Sequence, residues 1–133
     1  MIVDSSAIVA VAIRELGHEA LIGRLGTADR IGAGTPTLAE TAIVLTARLG
    51  SDARGMLERL IQELRIEEIP FGEAHWRAAL DAFERFGRGR HAARLNFGDC
   101  MAYAVAKLAD QPLLYVGEDF ARTDIASARG ALP

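Results

Sequence analysis

The chain is expected to fold as a single α/β domain, with helices on both sides of a small, mainly parallel sheet. Two observations predict this. Short strand-like segments alternate along the chain with longer segments whose apolar residues recur at helical spacing, which is the pattern of strand–helix–strand units with right-handed crossovers. The length of 133 residues, without linker, repeat or low-complexity segment, suits one domain over residues 1–133 that buries roughly 65–70% of its unfolded surface.

Met1–Val3 is a short apolar run that ends at Asp4, and Ser5 and Ser6 offer N-cap hydroxyls for an apolar helix reaching about Leu16 before Gly17 stops it. A short helix is expected from His18 to about Leu25, then a weak strand over Arg30–Gly34 and the turn residues Thr35-Pro36. With Thr35 as cap and Pro36 at the first helical position, Leu38, Ala42, Leu45 and Leu49 repeat at helical spacing until Gly50-Ser51-Asp52 breaks the chain. Met56, Leu57, Leu60, Ile61 and Leu64 form the apolar stripe of the next helix, a core stripe first and an interface second. Ile66–Ile69 reads as a strand ended by Pro70. Ala74, Trp76, Ala79, Leu80 and Phe83 carry a helix to Gly87. A helix of buried type is expected from about Gly98 to Leu108, then a central strand over Leu113–Val116 and a short irregular tail.

Fifteen basic and eighteen acidic residues leave a net charge of −3, which argues against passive, nonspecific nucleic-acid binding. One cysteine, Cys100, precludes an internal disulfide and fits a reducing cytoplasm. The N-terminus lacks the positive charge of a signal peptide, and the longest apolar run, Ala7–Ile13, is too short to cross a bilayer, so no membrane association is expected. His18, His75 and His91 have no zinc-type spacing, and no phosphate-cradling glycine motif occurs.

Four carboxylates stand in otherwise apolar surroundings: Asp4, Glu40, Asp99 and Asp119. Each has a structural explanation. Asp4 and Asp99 suit helix starts, and Thr37-Leu38-Ala39-Glu40 matches a capping box unless the helix begins earlier. Asp119 shares its loop with Glu118, Thr123 and Asp124. In a parallel sheet, however, strand ends and the starts of following helices collect at one edge, where Asp4, Asp99 and Asp119 would meet. Oxygen-only donors favour a hard cation, Mg²⁺ or Mn²⁺, which offsets carboxylate repulsion and activates water for attack on a phosphodiester.

Met1-Ile2-Val3-Asp4-Ser5-Ser6-Ala7, Leu38-Ala39-Glu40-Thr41-Ala42, Asn96-Phe97-Gly98-Asp99-Cys100 and Leu113-Leu114-Tyr115-Val116-Gly117-Glu118-Asp119-Phe120 with Thr123-Asp124-Ile125 together resemble a PIN-domain ribonuclease, specifically a VapC-type toxin of a type II toxin–antitoxin system. The resemblance spans nearly the whole chain and implies a PIN-like three-layer sandwich. It further implies that Asp4 and Asp99 are the main metal ligands, that Glu40 helps bind the metal or its water, that Asp119 completes the acidic cluster, and that Ser6 supports it. Metal-dependent cleavage of RNA, homodimerisation and neutralisation by a VapB-type antitoxin are implied as well.

The segment Gly87–Arg94 is the most basic in the chain, and Arg88, Arg90 and Arg94 are expected to contact RNA phosphates. Three competing functions use parts of the same pattern. A phosphatase with Asp4 as nucleophile would need a second acid where Ser6 stands. A receiver-like module lacks the neighbouring acid pair, and Lys107 falls inside a helix. A PIN domain that only binds RNA or protein would not need the four acids.

Overall fold

The computed structural model describes residues 1–130. Four strands, β1 (Ile2–Val3), β2 (Ile31–Gly34), β3 (Ile66–Ile69) and β4 (Leu113–Leu114), form a sheet in the order β3-β2-β1-β4, with every neighbouring pair parallel. Six helices connect them: α1 (Ser5–Ala12), α2 (His18–Gly26), α3 (Thr35–Leu49), α4 (Arg54–Glu63), α5 (Glu73–Phe86) and α6 (Phe97–Ala109). The chain moves outward from β1 through β2 to β3, then returns to place β4 on the other side of β1. The strand order therefore reverses between β1 and β4, the place where open parallel sheets leave a crevice beyond their carboxyl ends.

Alternation along the strands divides the core. Ile2 and Leu113, paired in register, pack with Phe86, Leu95, Tyr103 and Phe120 on the α5–α6 side. Val3 and Leu114, the next pair, face Ile8, Leu21, Leu25 and Leu57 on the other side. This period of two converts four short strands into the middle layer of a sandwich. The α4 stripe serves the core as expected: Leu57 is buried, with Leu60, Ile61 and Leu64 partly buried beside it, while Met56 packs against Leu45 and Val9.

Several boundaries differ from expectation. Helix α1 ends at Ala12 rather than Leu16, because Arg14 adopts a left-handed conformation (φ 53°) and the Glu15 amide donates back to the Ala10 carbonyl at 2.9 Å. That bond closes the helix in Schellman fashion, and Leu16 is left fully exposed. Gly34, not Thr35, caps α3, so Pro36 falls one place later than expected within the first turn. A side chain at Gly34 would lie 2.7 Å from Val105 Cγ2, so the close packing of β2's end on α6 requires glycine. Strand β4 covers only Leu113–Leu114 rather than Leu113–Val116, because its neighbour β1 gives way to a helix after Asp4, and it lies at the edge of the four-stranded sheet rather than centrally. The tail is less irregular than expected. It makes a 3₁₀ turn at Phe120–Arg122 and then bridges to Leu113, whose amide donates to Ala126 O and whose carbonyl accepts from Ala128 N, both at 2.8 Å. Its last residues, 131–133, lie outside the described residues.

Candidate active site

Asp4 leaves β1 at the point of strand-order reversal and is itself the N-cap of α1, in place of the serine hydroxyls expected there. Its Oδ2 accepts both the Ser6 amide (3.0 Å) and the Ser6 hydroxyl (2.5 Å), and Ser6 Oγ in turn accepts the Val116 amide at 3.0 Å. Ser6 thus ties the acid after β1 to the chain leaving β4. Asp4 is only 4% exposed. Burial pushes its carboxyl above the ordinary range; the bonds from Ser6 oppose this and the negative charge of Glu40 adds to it.

Glu40 lies in the body of α3, and the capping-box alternative does not form. Thr37 is buried inside the helix, where its carbonyl accepts the Thr41 hydroxyl at 2.7 Å. The Glu40 carboxylate accepts instead from the Ser5 hydroxyl. It also rests directly on the backbone of α6, where a Cβ at Gly98 would collide with Glu40 Oε2. Only glycine at position 98 leaves room for this acid.

Asp99 fulfils its structural explanation and more. It forms a reciprocal capping box with Asn96: its amide donates to Asn96 Oδ1 at 2.9 Å, and its Oδ2 accepts the Asn96 amide at 3.0 Å. Burial nevertheless pushes its carboxyl up to about 6 against the help of that Asn96 bond, and the charges of Asp4, Asp119 and Glu40 push in the same direction. The other three sequence-predicted acids all lie within electrostatic reach of Asp99.

Asp119 is exposed and precedes the 3₁₀ turn without making a capping bond. Its loop competitors are engaged elsewhere. Asp124 accepts from Tyr103 Oη (2.6 Å), Lys107 Nζ (3.1 Å) and Arg85 Nη2 (3.2 Å), Glu118 pairs with Arg129 at 3.6 Å, and the Thr123 hydroxyl donates to Phe120 O at 2.7 Å. The chain's one thiol plays no part in this chemistry, since burial and the charge of Asp99 push Cys100 up to about 11.

The basic loop is a compact structure. Leu95 N donates to Phe86 O and Arg88 N to Leu95 O, both at 3.0 Å, and Arg94 takes a left-handed conformation (φ 55°). Arg88, Arg90 and Arg94 are exposed, and among the described residues none forms an ion pair. Arg90 lies 5.2 Å over the Phe83 ring, and Arg122 donates to the Ala92 carbonyl at 3.3 Å, which ties the loop to the turn after Asp119.

Three contributors escape a reading of the sequence: Ser5 as the donor to Glu40, Asn96 as the partner of Asp99, and Gly98 as the floor beneath Glu40. The Asn-x-x-Asp spacing of a reciprocal cap was the available signal for Asn96. Nothing local announces the other two.

The donor set fits a hydrated hard cation. The bonds from Ser6 fall on Asp4 Oδ2 and the bond from Asn96 falls on Asp99 Oδ2, which leaves both Oδ1 atoms free of donors among the described residues. Among the described residues, no three acidic, histidine or cysteine side chains lie close enough together to hold a metal ion by themselves. An octahedral ion such as Mg²⁺, which keeps several waters and takes one or two carboxylates, suits such an open arrangement.

Comparison with known proteins identifies the family and the fold. The PIN domain family model matches residues 1–126. The chain is 49% identical over 126 residues to ribonuclease VapC36 of Mycobacterium tuberculosis, covering 94% of this chain and 91% of that protein. It is 37% identical over 127 residues to a ribonuclease VapC of Mycolicibacterium smegmatis, covering 96% and 98%. Among solved structures, VapC20 of M. tuberculosis, described as a sarcin-ricin loop cleaving toxin, shares the fold with a TM-score of 0.76 at 17% identity over 94% of this chain and 95% of that one. A toxin–antitoxin complex from Klebsiella pneumoniae contains the same fold, with a TM-score of 0.68 at 13% identity and 92% coverage of each chain. The three-layer architecture expected from the sequence is thus the observed one, and the chain belongs to the PIN domain family, among the VapC ribonucleases.

Proposed function

We propose that this protein is the toxin of a type II toxin–antitoxin pair and acts as a metal-dependent endoribonuclease through Asp4, Glu40, Asp99 and Asp119. The observation that carries the site assignment is the seat of Glu40 at the carboxyl edge of the sheet, where its carboxylate accepts from Ser5, next to Asp4, and rests against Gly98, next to Asp99. Like charges held together at a ligand-binding edge make a site for a cation. Bound there, Mg²⁺ or Mn²⁺ supplies charge neutralisation at the phosphate and an acidified water as nucleophile.

The chain's own groups divide the remaining work. Asp4 and Asp99 present their free Oδ1 atoms as ligands. Ser6 fixes the Asp4 carboxylate by two bonds to one oxygen, and the Asn96 cap fixes that of Asp99. Glu40, held by Ser5 and seated on Gly98, orients water from the α3 side, and Asp119 closes the open side of the cluster. The phosphatase reading loses support, because Ser6 stands where its second acid is needed and the Ser6 hydroxyl is committed to Asp4.

The same reading makes RNA the substrate, with Arg88, Arg90 and Arg94 on its backbone, a VapB-type antitoxin the partner, a homodimer the assembly and the cytoplasm the location. No helix among the described residues is long and apolar enough to cross a membrane. The test is cleavage of structured RNAs by the purified protein in Mg²⁺, in Mn²⁺ and in chelator, alongside Asp4→Asn and Asp99→Asn. Metal-dependent cleavage lost in both variants is expected; cleavage that survives both substitutions defeats the assignment.

A further inference from the structure

Phe97 is 80% exposed although it opens a helix whose next turns are buried. Burying such a ring would stabilise the fold, which forgoes this by leaving it in water. The ring has no local structural duty. The start of α6 is fixed by its neighbours, through the reciprocal bonds of Asn96 and Asp99. Its position in the chain is informative. The next residue, Gly98, touches the Glu40 carboxylate, and Asp99 follows immediately. On the other side, Arg94 precedes it by three residues and, with Arg88 and Arg90, presents exposed cations that form no ion pair among the described residues. The ring thus stands on the rim of the acidic cleft, between the cleft and the basic loop.

An exposed aromatic ring beside a cationic track is how single-stranded nucleic acid is held: cations follow the phosphates and the ring takes the face of a base. We propose that Phe97 stacks on an unpaired base of the RNA next to the cleaved phosphate. This rests on the ribonuclease reading. A duplex offers no free base face at that position, since its bases are already stacked on each other. The other exposed rings, Trp76 and Phe83, lie on α5, where Arg77 and Arg90 cover them, at 4.6 and 5.2 Å from the ring centres. Phe97 has no such cover among the described residues.

The test compares the unaltered chain with Phe97→Ala, Phe97→Leu and Phe97→Trp, binding RNA in chelator, where cleavage is suspended. The probes are a single-stranded oligonucleotide carrying 2-aminopurine at successive positions and the same sequence in a duplex. Quenching of 2-aminopurine at one position is expected with phenylalanine or tryptophan at position 97 and is expected to vanish with alanine or leucine. Single-strand affinity should fall on the order of ten-fold or more in the alanine variant, with duplex affinity little changed. Unchanged binding by Phe97→Ala, equal losses on single strand and duplex, or full rescue by leucine each overturns the stacking role. So does a change in self-association, measured by sedimentation, without a change in RNA binding, because the ring then serves a protein contact. Failure of the unaltered chain both to bind RNA here and to cleave it in Mg²⁺ or Mn²⁺ defeats the ribonuclease reading along with the proposal.

Discussion

Replacing Asp99 by asparagine is expected to stabilise the metal-free protein at pH 8 while abolishing its activity. The folded state holds the Asp99 proton up to about pH 6, against an ordinary value of 3.8, because burial and three neighbouring carboxylates disfavour the charge. A carboxyl that binds its proton more tightly when folded contributes stability that is fully present below pH 3.8 and is lost as the pH rises through 6. The separation corresponds to a ceiling of about 3 kcal/mol. Asp99 lies in a partly open cleft, so solvent screening reduces this to roughly half. Loss of the favourable anion at the α6 N-terminus takes back about 0.5 kcal/mol. Asparagine keeps an oxygen for the Asn96 amide, so the cap survives. The expected net gain is about 1 kcal/mol at pH 8, or a Tm rise of roughly 3–5 °C, vanishing below about pH 4. Urea unfolding of both proteins from pH 3.5 to 8 in chelator measures it, and Mg²⁺ should then stabilise the unaltered chain more than the variant. A variant no more stable at pH 8, or a gain that persists at pH 3.5, refutes the convergence of negative charge on Asp99.

Gly98→Ala places a Cβ against Glu40, which must swing away from Ser5; single-turnover cleavage should fall by about ten-fold or more while stability changes by less than about 2 kcal/mol. Substituting glutamine at Arg88, Arg90 and Arg94 together should flatten the dependence of log Kd on log salt by about 2 for single-stranded RNA, and an unaltered slope counts against phosphate contacts. At Asp124, burial raises the carboxyl but the hydrogen bonds from Tyr103 and Lys107 and the charge of Arg85 outweigh it and hold it at about 2. Its stabilising contribution is present above pH 4 and is lost as the pH falls through 2. Tyr103→Phe should therefore cost about 1 kcal/mol at neutral pH and make acid unfolding begin at a higher pH, both readable by circular dichroism.

The parallel α/β architecture was legible because strand and helix periodicities differ and because the segments alternate without interruption. Element ends were less legible. The closure of α1 at Ala12 depends on Arg14 accepting a left-handed conformation that glycine usually takes, and the shortness of β4 depends on its neighbour having already turned into a helix. Neither cause is local to the residues it affects.

For the acids the division is similar. Asp4 and Asp99 could be read from the sequence because each follows or opens a regular element, so the topology alone sends them to one edge of the sheet. For Glu40 the preferred earlier helix start already placed it in the helix body, as the structure has it with Gly34 as the cap, but its donor Ser5, thirty-five residues away, was not legible. Asp119 had three rivals within five residues, and only the partners of Glu118, Thr123 and Asp124 set it apart. The sequence by itself determined which residue types carry charge and which elements deliver them, because both follow from short-range periodicity and chain order. Tertiary structure decided which charges remain uncompensated, because hydrogen bonds and repulsion at the site join residues that are far apart in the chain.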